Sequence, residues 1–378
     1  MEKIGFYCSS ISWGGLEMNI VKCAVWLKER GYPVLVYCVK DSPIAESVLD
    51  KNLEHVFVPR NRKYFDFKNA WRMSKRAKSD EIKAMWLRDT RDLSTIGLAK
   101  TFSGKKFKMI YQQAMQLGVD KKDFLHTLRF ARIDAWISLL DFLADQGKAR
   151  TKFDSKKLHT VPLAVDIAEE KLDKAEARTK LQIEGEKFTL GIIGRYSPLK
   201  GQLFLIRELA KLRAEGKDIE LLMVGEKTRN ESDDYYNQII AEIEELGLLK
   251  VVHMRPFMKN PTAFFKAIDL FIMASKGETF GTVTIESMMF GTPVLGTNAS
   301  GTPELLEKGN LGYLFEVDNG EQLREQISRI LENEQERKAK SEMAQKVAQE
   351  KYTRAAVTNR IEDLLETLDL KYLKQASK

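Results

Sequence analysis

Residues 188–216 read FTLGIIGRYSPLKGQLFLIRELAKLRAEG. FTLGII has the length and apolar content of a buried strand. Gly194 and Gly201 bracket a Ser-Pro turn. LFLIRELAKLRAEG then carries apolar residues at spacings of three and four and stops at Gly216, which predicts a helix. A second apolar run, IELLMVGE (219–226), completes a strand–helix–strand unit.

Further short strands are expected toward the C-terminus at VVHMRPF, DLFIMAS, TPVLGTN and GYLFEV. Toward the N-terminus, residues 168–187 are charged and lack strand character. Before them the same pattern has already run once. KIGFYCSS reads as a strand, a glycine turn follows, MNIVKCAVWLKERGY reads as a helix ending at Gly31, and PVLVYCV is the next strand. HVFVP, AMWLRD, FKMIYQQ, AWISLL and LHTVPL continue the series, mostly separated by helical segments. Such alternation implies parallel sheets with helices on both faces. The chain is 378 residues long, more than one ordinary core accommodates. The expectation is an α/β protein of two Rossmann-like domains facing across a cleft, residues 1–165 and 166–353, hinged near Val161–Asp166. The tail from Asn333 reads as helical, first charged, then apolar at helical spacing in YTRAAVTNRIEDLLETLDLKYLK.

Composition is that of a globular protein, 43% hydrophobic and 30% charged. No apolar run approaches the roughly 18 residues of a membrane span, and MEKIGFYCSSISWGGLE has no secretory signal pattern, so a cytoplasmic location is expected. Cys8, Cys23 and Cys38 show no C-x-x-C spacing and read as buried thiols. Four histidines stand singly, which argues against a zinc site. The net charge of +7 is uneven: residues 1–165 hold 30 Lys and Arg against 18 Asp and Glu, and the remaining 213 hold 31 against 36. A basic first half suits anionic partners or a solvated lysine-rich surface. No nucleic-acid motif occurs.

Three constellations carry chemistry. WGGLE (13–17) lies between a strand and a helix, where adjacent glycines let backbone approach a ligand and the helix N-terminus favours anions. It lacks the G-x-G-x-x-G spacing of a dinucleotide fingerprint. GRYSPLKG (194–201) takes the same place in the second domain and supplies two cations, Arg195 and Lys200, suited to a diphosphate. SKGETFGTVTIESMMFG (275–291) places Glu278 on a loop and Glu286 inside a helix. Between them Thr279, Phe280, Gly281 and Thr282 enter that helix, offering backbone N–H groups to phosphate or hydroxyl oxygens. Two carboxylates beside an anion pocket fit a ligand with both phosphates and hydroxyls, such as a nucleotide sugar.

ETFGTVTIE resembles the E-x7-E motif of the retaining family-4 glycosyltransferases (glycosyl transferases group 1), which have the GT-B fold. The resemblance extends to the N-terminal glycine pair, the G-R-x5-G turn with its Lys, IELLMVGE and GTPVLGTNASGTPELL, in the family's order. It implies a retaining glycosyltransferase moving a sugar from a nucleotide-sugar donor, by default a UDP-sugar, to an acceptor in cell-envelope glycan or polysaccharide synthesis. By that resemblance Glu278 faces the donor sugar, Glu286 holds the ribose hydroxyls, Arg195 and Lys200 bind the diphosphate, and Gly15 closes on it from the first domain. The base is implied near Arg255 and Pro256. The first domain takes the acceptor and is completed by a C-terminal helix at about 354–378.

One departure stands out. Where family members carry a histidine, MIYQQAMQLG has Gln112 and Gln113, and glutamine cannot act as a general base. Gln113 and Asp89 (in WLRDTRD) are kept as candidates on the acceptor or sugar side. Retaining members are thought to let the leaving diphosphate take the proton. No D-x-D triplet occurs, so no metal and no cofactor is expected. Lys105, Lys106, Lys108, Lys121 and Lys122 suggest an acceptor-side basic surface for peripheral contact with the inner membrane face. The alternatives are a nucleotide-sugar epimerase of GT-B architecture and a non-catalytic glycosyltransferase-like binding protein.

Overall fold

The computed structural model describes residues 1–62, 66–167, 170–227 and 233–374. The chain divides into two compact units, Met1–Ala164 with Arg354–Lys378, and Val165–Thr353.

The first unit's strands are β1 (Lys3–Cys8), β2 (Val34–Cys38), β3 (His55–Phe57), β4 (Ile82–Leu87), β5 (Lys108–Gln112), β6 (Ala135–Ser138) and β7 (Leu158–Thr160). They form one sheet in the order β3-β2-β1-β4-β5-β6-β7, every neighbouring pair parallel. The second unit's strands are β8 (Phe188–Ile193), β9 (Ile219–Val224), β10 (Val252–Arg255), β11 (Leu270–Met273), β12 (Val294–Thr297) and β13 (Tyr313–Phe315). Their order is β10-β9-β8-β11-β12-β13, again parallel throughout. Helices cover both faces of such sheets, so central strands are buried on both sides and read as unbroken apolar runs. β2 and β9 are buried at every residue.

The strand order reverses once in each sheet, between β1 and β4 in the first unit and between β8 and β11 in the second. Outside the carboxyl ends of such paired strands an open α/β sheet leaves a crevice for ligands. The helix after β1 spans Gly15–Glu29 and begins three residues before the apolar periodicity does, because glycines carry no periodic signal. The charged stretch 168–187 holds no strand among its described residues. It contributes the helix Lys174–Lys180, closed by a reciprocal Asp173–Glu176 capping box.

The tail helix Arg354–Thr367 belongs to the first unit. Val357, Ile361, Leu364 and Leu365 join the cluster built around Ile4, Phe6, Ile20 and Leu27. Polar contacts seal its rim, with Arg30 bonding Glu362 at 3.1 Å and Asn359 at 2.9 Å.

Candidate active site

The switch point of the second sheet is built from three loops. The loop after β8 carries Arg195 and Lys200. The loop after β11 carries Glu278. The loop after β12 carries Ala299–Gly301. Glycine is required where these backbones touch: a Cβ at Gly201 (φ +76°) would sit 2.4 Å from the Ala274 carbonyl oxygen, and one at Gly225 would sit 2.0 Å from that of Gly194. The Lys276 N–H donates to the Leu199 carbonyl at 2.9 Å, tying the first two loops together.

Across that tie the Lys200 ammonium donates to the Glu278 carboxylate at 2.7 Å, with both side chains part-buried. The Glu278 carbonyl accepts from the Gly301 N–H at 3.0 Å. The role of the β12 loop in bracing Glu278 was not visible from residue spacing. Its signal lay in the Ser-Gly-Thr-Pro turn, because Ser300 has φ +54° and Gly301 opens the helix Thr302–Leu305.

Gly281, in the left-handed region at φ +76° and ψ +61°, precedes the helix Thr282–Met289, which no side chain caps. The Thr284 N–H donates to the Gly281 carbonyl at 3.0 Å, which leaves the N–H groups of Thr282 and Val283 at the positive end of the helix dipole. Phe280 is buried, its ring edge-on to Tyr352 at 6.2 Å, so this residue offers its backbone and not its side chain. Glu286 stands one turn into the helix and is half-buried. Arg195 is exposed, and among the described residues its guanidinium makes no hydrogen bond or ion pair. Its carbonyl accepts from the Gln202 amide at 2.9 Å.

Arg255 departs from its expected role. Three guanidinium hydrogen bonds go to the carbonyls of Leu181 (2.8 Å), Met254 (2.8 Å) and Gln182 (3.0 Å). The side chain braces the end of β10 against the segment after Lys174–Lys180 and is not presented to a nucleobase.

In the first unit, Gly15 opens its helix with free space about it: a Cβ there would meet nothing within 4 Å. Asp89 follows β4, half-buried, and accepts from the Arg91 N–H at 2.8 Å. Gln113 corrects the sequence expectation. It is fully buried; its carbonyl oxygen accepts from Trp136 Nε1 (3.1 Å) and the Ser138 hydroxyl (3.2 Å), and its amide donates to the Met115 carbonyl (2.9 Å). Gln112 likewise accepts from Trp86 Nε1 at 3.2 Å. Both glutamines satisfy buried indoles and are closed to a sugar.

The residue that sequence reasoning missed at this edge is Asp92. Fully buried, it accepts from the Ser9 N–H (3.1 Å), the Ser9 hydroxyl and the Asn61 amide (3.0 Å), and Asn61 accepts from Tyr7. Burial pushes its carboxyl up to about 7, against the pull of those donors. Among the described residues, no group of three His, Cys, Asp or Glu could hold a metal ion.

Two parallel α/β sheets, each with its reversal beside the first strand, define the class: this is a GT-B fold. Residues 173–347, nearly all of the second unit, match the model of Glycosyl transferases group 1. A D-inositol 3-phosphate glycosyltransferase of Segniliparus rotundus is 31% identical over 183 residues, covering 47% of this chain and 40% of that protein. The capsular polysaccharide biosynthesis glycosyltransferase CapM of Staphylococcus aureus is 24% identical, covering 48% and 47%. The chain thus spans less than half the length of these two relatives. The crystal structure of Anabaena HepE in complex with UDP superposes with a TM-score of 0.84 at 20% identity, covering 97% of this chain and all of that one, and it shows the shared fold.

Proposed function

We propose that the chain is a retaining glycosyltransferase that moves a sugar from a nucleotide donor, a UDP-sugar, to an acceptor in cell-envelope glycan synthesis. The observation that carries this reading is the Lys200–Glu278 pair at 2.7 Å, set across the switch point beside the Gly281-led helix. It puts a cation, a carboxylate and free N–H groups at one edge. Arg195, Lys200 and the helix N-terminus stabilise the leaving diphosphate, so no metal is needed. Glu278 faces the donor sugar, and Glu286 accepts from the ribose hydroxyls. With Gln113 sealed, the departing diphosphate takes the acceptor's proton. HepE, whose structure holds UDP, supports the choice of base, and CapM, named for capsular polysaccharide biosynthesis, supports the acceptor class.

Peripheral membrane contact is part of the proposal, on a surface other than the one the lysines suggested. Lys108 opens β5, so Lys105 and Lys106 precede the amino end of that strand, at the edge opposite the switch point. Lys121 pairs with Thr151, which follows the helix Asp141–Arg150 down to that same edge, and Lys122 is next in sequence. The more suitable surface exposes Phe67 and Trp71 from the helix Phe67–Ser79, with Lys75 over the Trp71 ring, and Phe124, Leu125 and Leu128 from the helix Phe124–Phe130. Aromatic and basic residues on one exposed face suit an anionic bilayer.

The test of the catalytic reading is a thermal-shift screen of nucleotide sugars, followed by product analysis of the best binder with and without acceptor. Lys200→Met should lower the transfer rate about 100-fold or more while the melting temperature stays nearly unchanged, because the Lys200–Glu278 pair is partly solvated. Turnover of the donor to an isomer without acceptor would favour an epimerase. A Lys200→Met variant as active as the parent would overturn the site.

A further inference from the structure

Asp92 opens the helix Asp92–Phe102, just past the turn that leaves β4, and is fully buried. Three hydrogen bonds converge on its carboxylate. One oxygen accepts from the Ser9 N–H at 3.1 Å, and the other accepts from the Ser9 hydroxyl and from the Asn61 amide at 3.0 Å. Asn61, itself buried, accepts in turn from the Tyr7 hydroxyl at 3.1 Å. One carboxylate thus ties together the loop after β1, the segment after β3 and the turn after β4, beside the reversal point of the first sheet. A buried carboxylate is costly to keep unless its oxygens are satisfied. Asp92 is closed to any substrate, so whatever it does for a reaction passes through the residues it holds.

Ser9 is the root of a loop. Beyond it the chain passes through buried Ser10 to exposed Ile11, Ser12 and Trp13, and then to the Gly14–Gly15 turn. The Ser12 N–H donates to the Ser10 hydroxyl at 3.1 Å. With three exposed residues before the turn, the loop takes its course from Ser9, where backbone and side chain are both bonded to Asp92.

We propose that Asp92 is a positioning residue for the transfer reaction, holding through Ser9 the loop that carries the Gly14–Gly15 turn. The proposal rests on the glycosyltransferase reading and adds control of its rate by one proton. The ionised carboxylate accepts from all three donors, in charge-assisted hydrogen bonds roughly twice as strong as neutral ones. The Ser9 N–H and the Asn61 amide group can only donate, so a proton on the carboxyl has the Ser9 hydroxyl as its one acceptor. That hydroxyl must turn round, and the grip on Ser9 loosens. Burial pushes the carboxyl up to about 7, with repulsion from Asp89 added and the donors opposing. Around it stand Asp89, 3.9 Å from Arg91; Tyr7 and Cys8 on β1, both kept neutral by burial; and, beyond these two, Asp66 at the N-cap of the helix Phe67–Ser79 and Glu17. Transfer should therefore rise with pH through about 7, while the stability linked to the same proton falls. A residue that only held the fold together would make both fall.

The experiment follows UDP release, with water as acceptor, from the fastest of UDP-glucose, UDP-galactose and UDP-N-acetylglucosamine. It uses the full chain between pH 5 and pH 8. In the parent, kcat/KM should rise about 10- to 100-fold across that range, the scale on which misplacing a group by about an ångström acts. Asp92→Asn cannot ionise and cannot accept from all three donors, so it should stay at the low rate throughout. Ser9→Ala keeps the N–H bond and removes the hydroxyl that holds the carboxyl down, so its rise should move to higher pH. That variant decides alone if Asp92→Asn fails to fold. A parent profile that is flat or falls with stability, an Asp92→Asn profile that keeps the rise, or a Ser9→Ala rise at the parent's pH would each overturn the proposal. A chain that releases no UDP from any of the three sugars would defeat the glycosyltransferase reading and this proposal with it. UDP release without the expected pH profile defeats this proposal alone.

Discussion

Glu278 is held from both ends, its carboxylate by Lys200 and its carbonyl by the Gly301 N–H, with Gly281 packed against its stem. Glu286, one turn into the adjoining helix, is positioned by the helix itself. In the proposed role it accepts from ribose hydroxyls, and losing a charged hydrogen bond costs about 1.5–3 kcal/mol. Glu286→Gln should therefore weaken UDP and UDP-sugar binding together, by roughly 10- to 150-fold at 1.4 kcal/mol per decade. Titration calorimetry checks it, and unchanged affinity for both would remove Glu286 from the site. Asp92 gives a prediction about pH. Its carboxyl is pushed up to about 7 in the folded chain, against roughly 3.9 unfolded. Between those values the native state holds a proton that the unfolded chain has released. The resulting stability is fully present below about pH 4 and is lost as pH rises through about 7. Asp92→Asn cannot titrate, so the parent's stability relative to this variant should fall from pH 5 to pH 8. Urea melts at three pH values would show it, and a constant difference would contradict the shift.

The tail helix Arg354–Thr367 decides the first unit's stability. Leu365 is fully buried in the cluster of Ile4, Phe6 and Leu27, more than 330 residues away in sequence. Leu365→Ala should cost about 2–5 kcal/mol, measured by urea unfolding. Removing residues 354–378 strips several such side chains at about 1.5–3 kcal/mol each, comparable to the whole stability of a domain. That truncation should leave the first unit unfolded, and a fully stable and active truncated chain would show the helix to be dispensable. The buried group at the foot of the second sheet works differently. Glu220 accepts from Arg178 and Thr189, both at 2.8 Å, and lies 3.0 Å from His253. Burial alone would raise its carboxyl, but His253, Thr189 and Arg178 together hold it below the ordinary value. This cluster joins β8, β9 and β10 at the end opposite the site, and it serves cohesion.

At the scale of the whole molecule, two reversal points are available, and the chain furnishes them differently. The second is lined by Arg195, Lys200, Glu278 and a helix N-terminus. The first holds Arg88, Asp92 and the Gly14–Gly15 turn. If basic residues and helix dipoles stand in for an ion at the leaving diphosphate, transfer should survive EDTA at full rate. A strict need for added Mg²⁺ or Mn²⁺, restored on readdition, would overturn that account. The exposed Phe67, Trp71 and Phe124 face should bring the chain down with anionic vesicles at low salt and release it at high salt, where screening shortens to a few ångströms. Trp71→Ser with Phe124→Ser should remain in the supernatant. Parent protein that never co-sediments would leave a soluble acceptor.

Read by itself, the sequence determined the strands and the place of the second unit's candidate site. Parallel strands buried on both faces must be continuous apolar runs, and glycine turns between strand and helix mark the edges where ligands bind. β1 to β13 each coincide with a run such as KIGFYC, IELLMV or DLFIM, and Arg195, Lys200, Glu278 and Glu286 fall on loops and a helix that local pattern predicts. What only the tertiary structure decided was the use to which each polar side chain is put. Arg255 and Gln113 look available in sequence and are consumed in part by a carbonyl 74 positions away and an indole 23 positions away. Asp92 and Arg88 sit in WLRDTRD with no local signal of burial and emerge among the buried polar residues of the first unit. Hydrogen-bond satisfaction depends on neighbours across the sheet, and no local periodicity encodes which partners a fold will place within three ångströms.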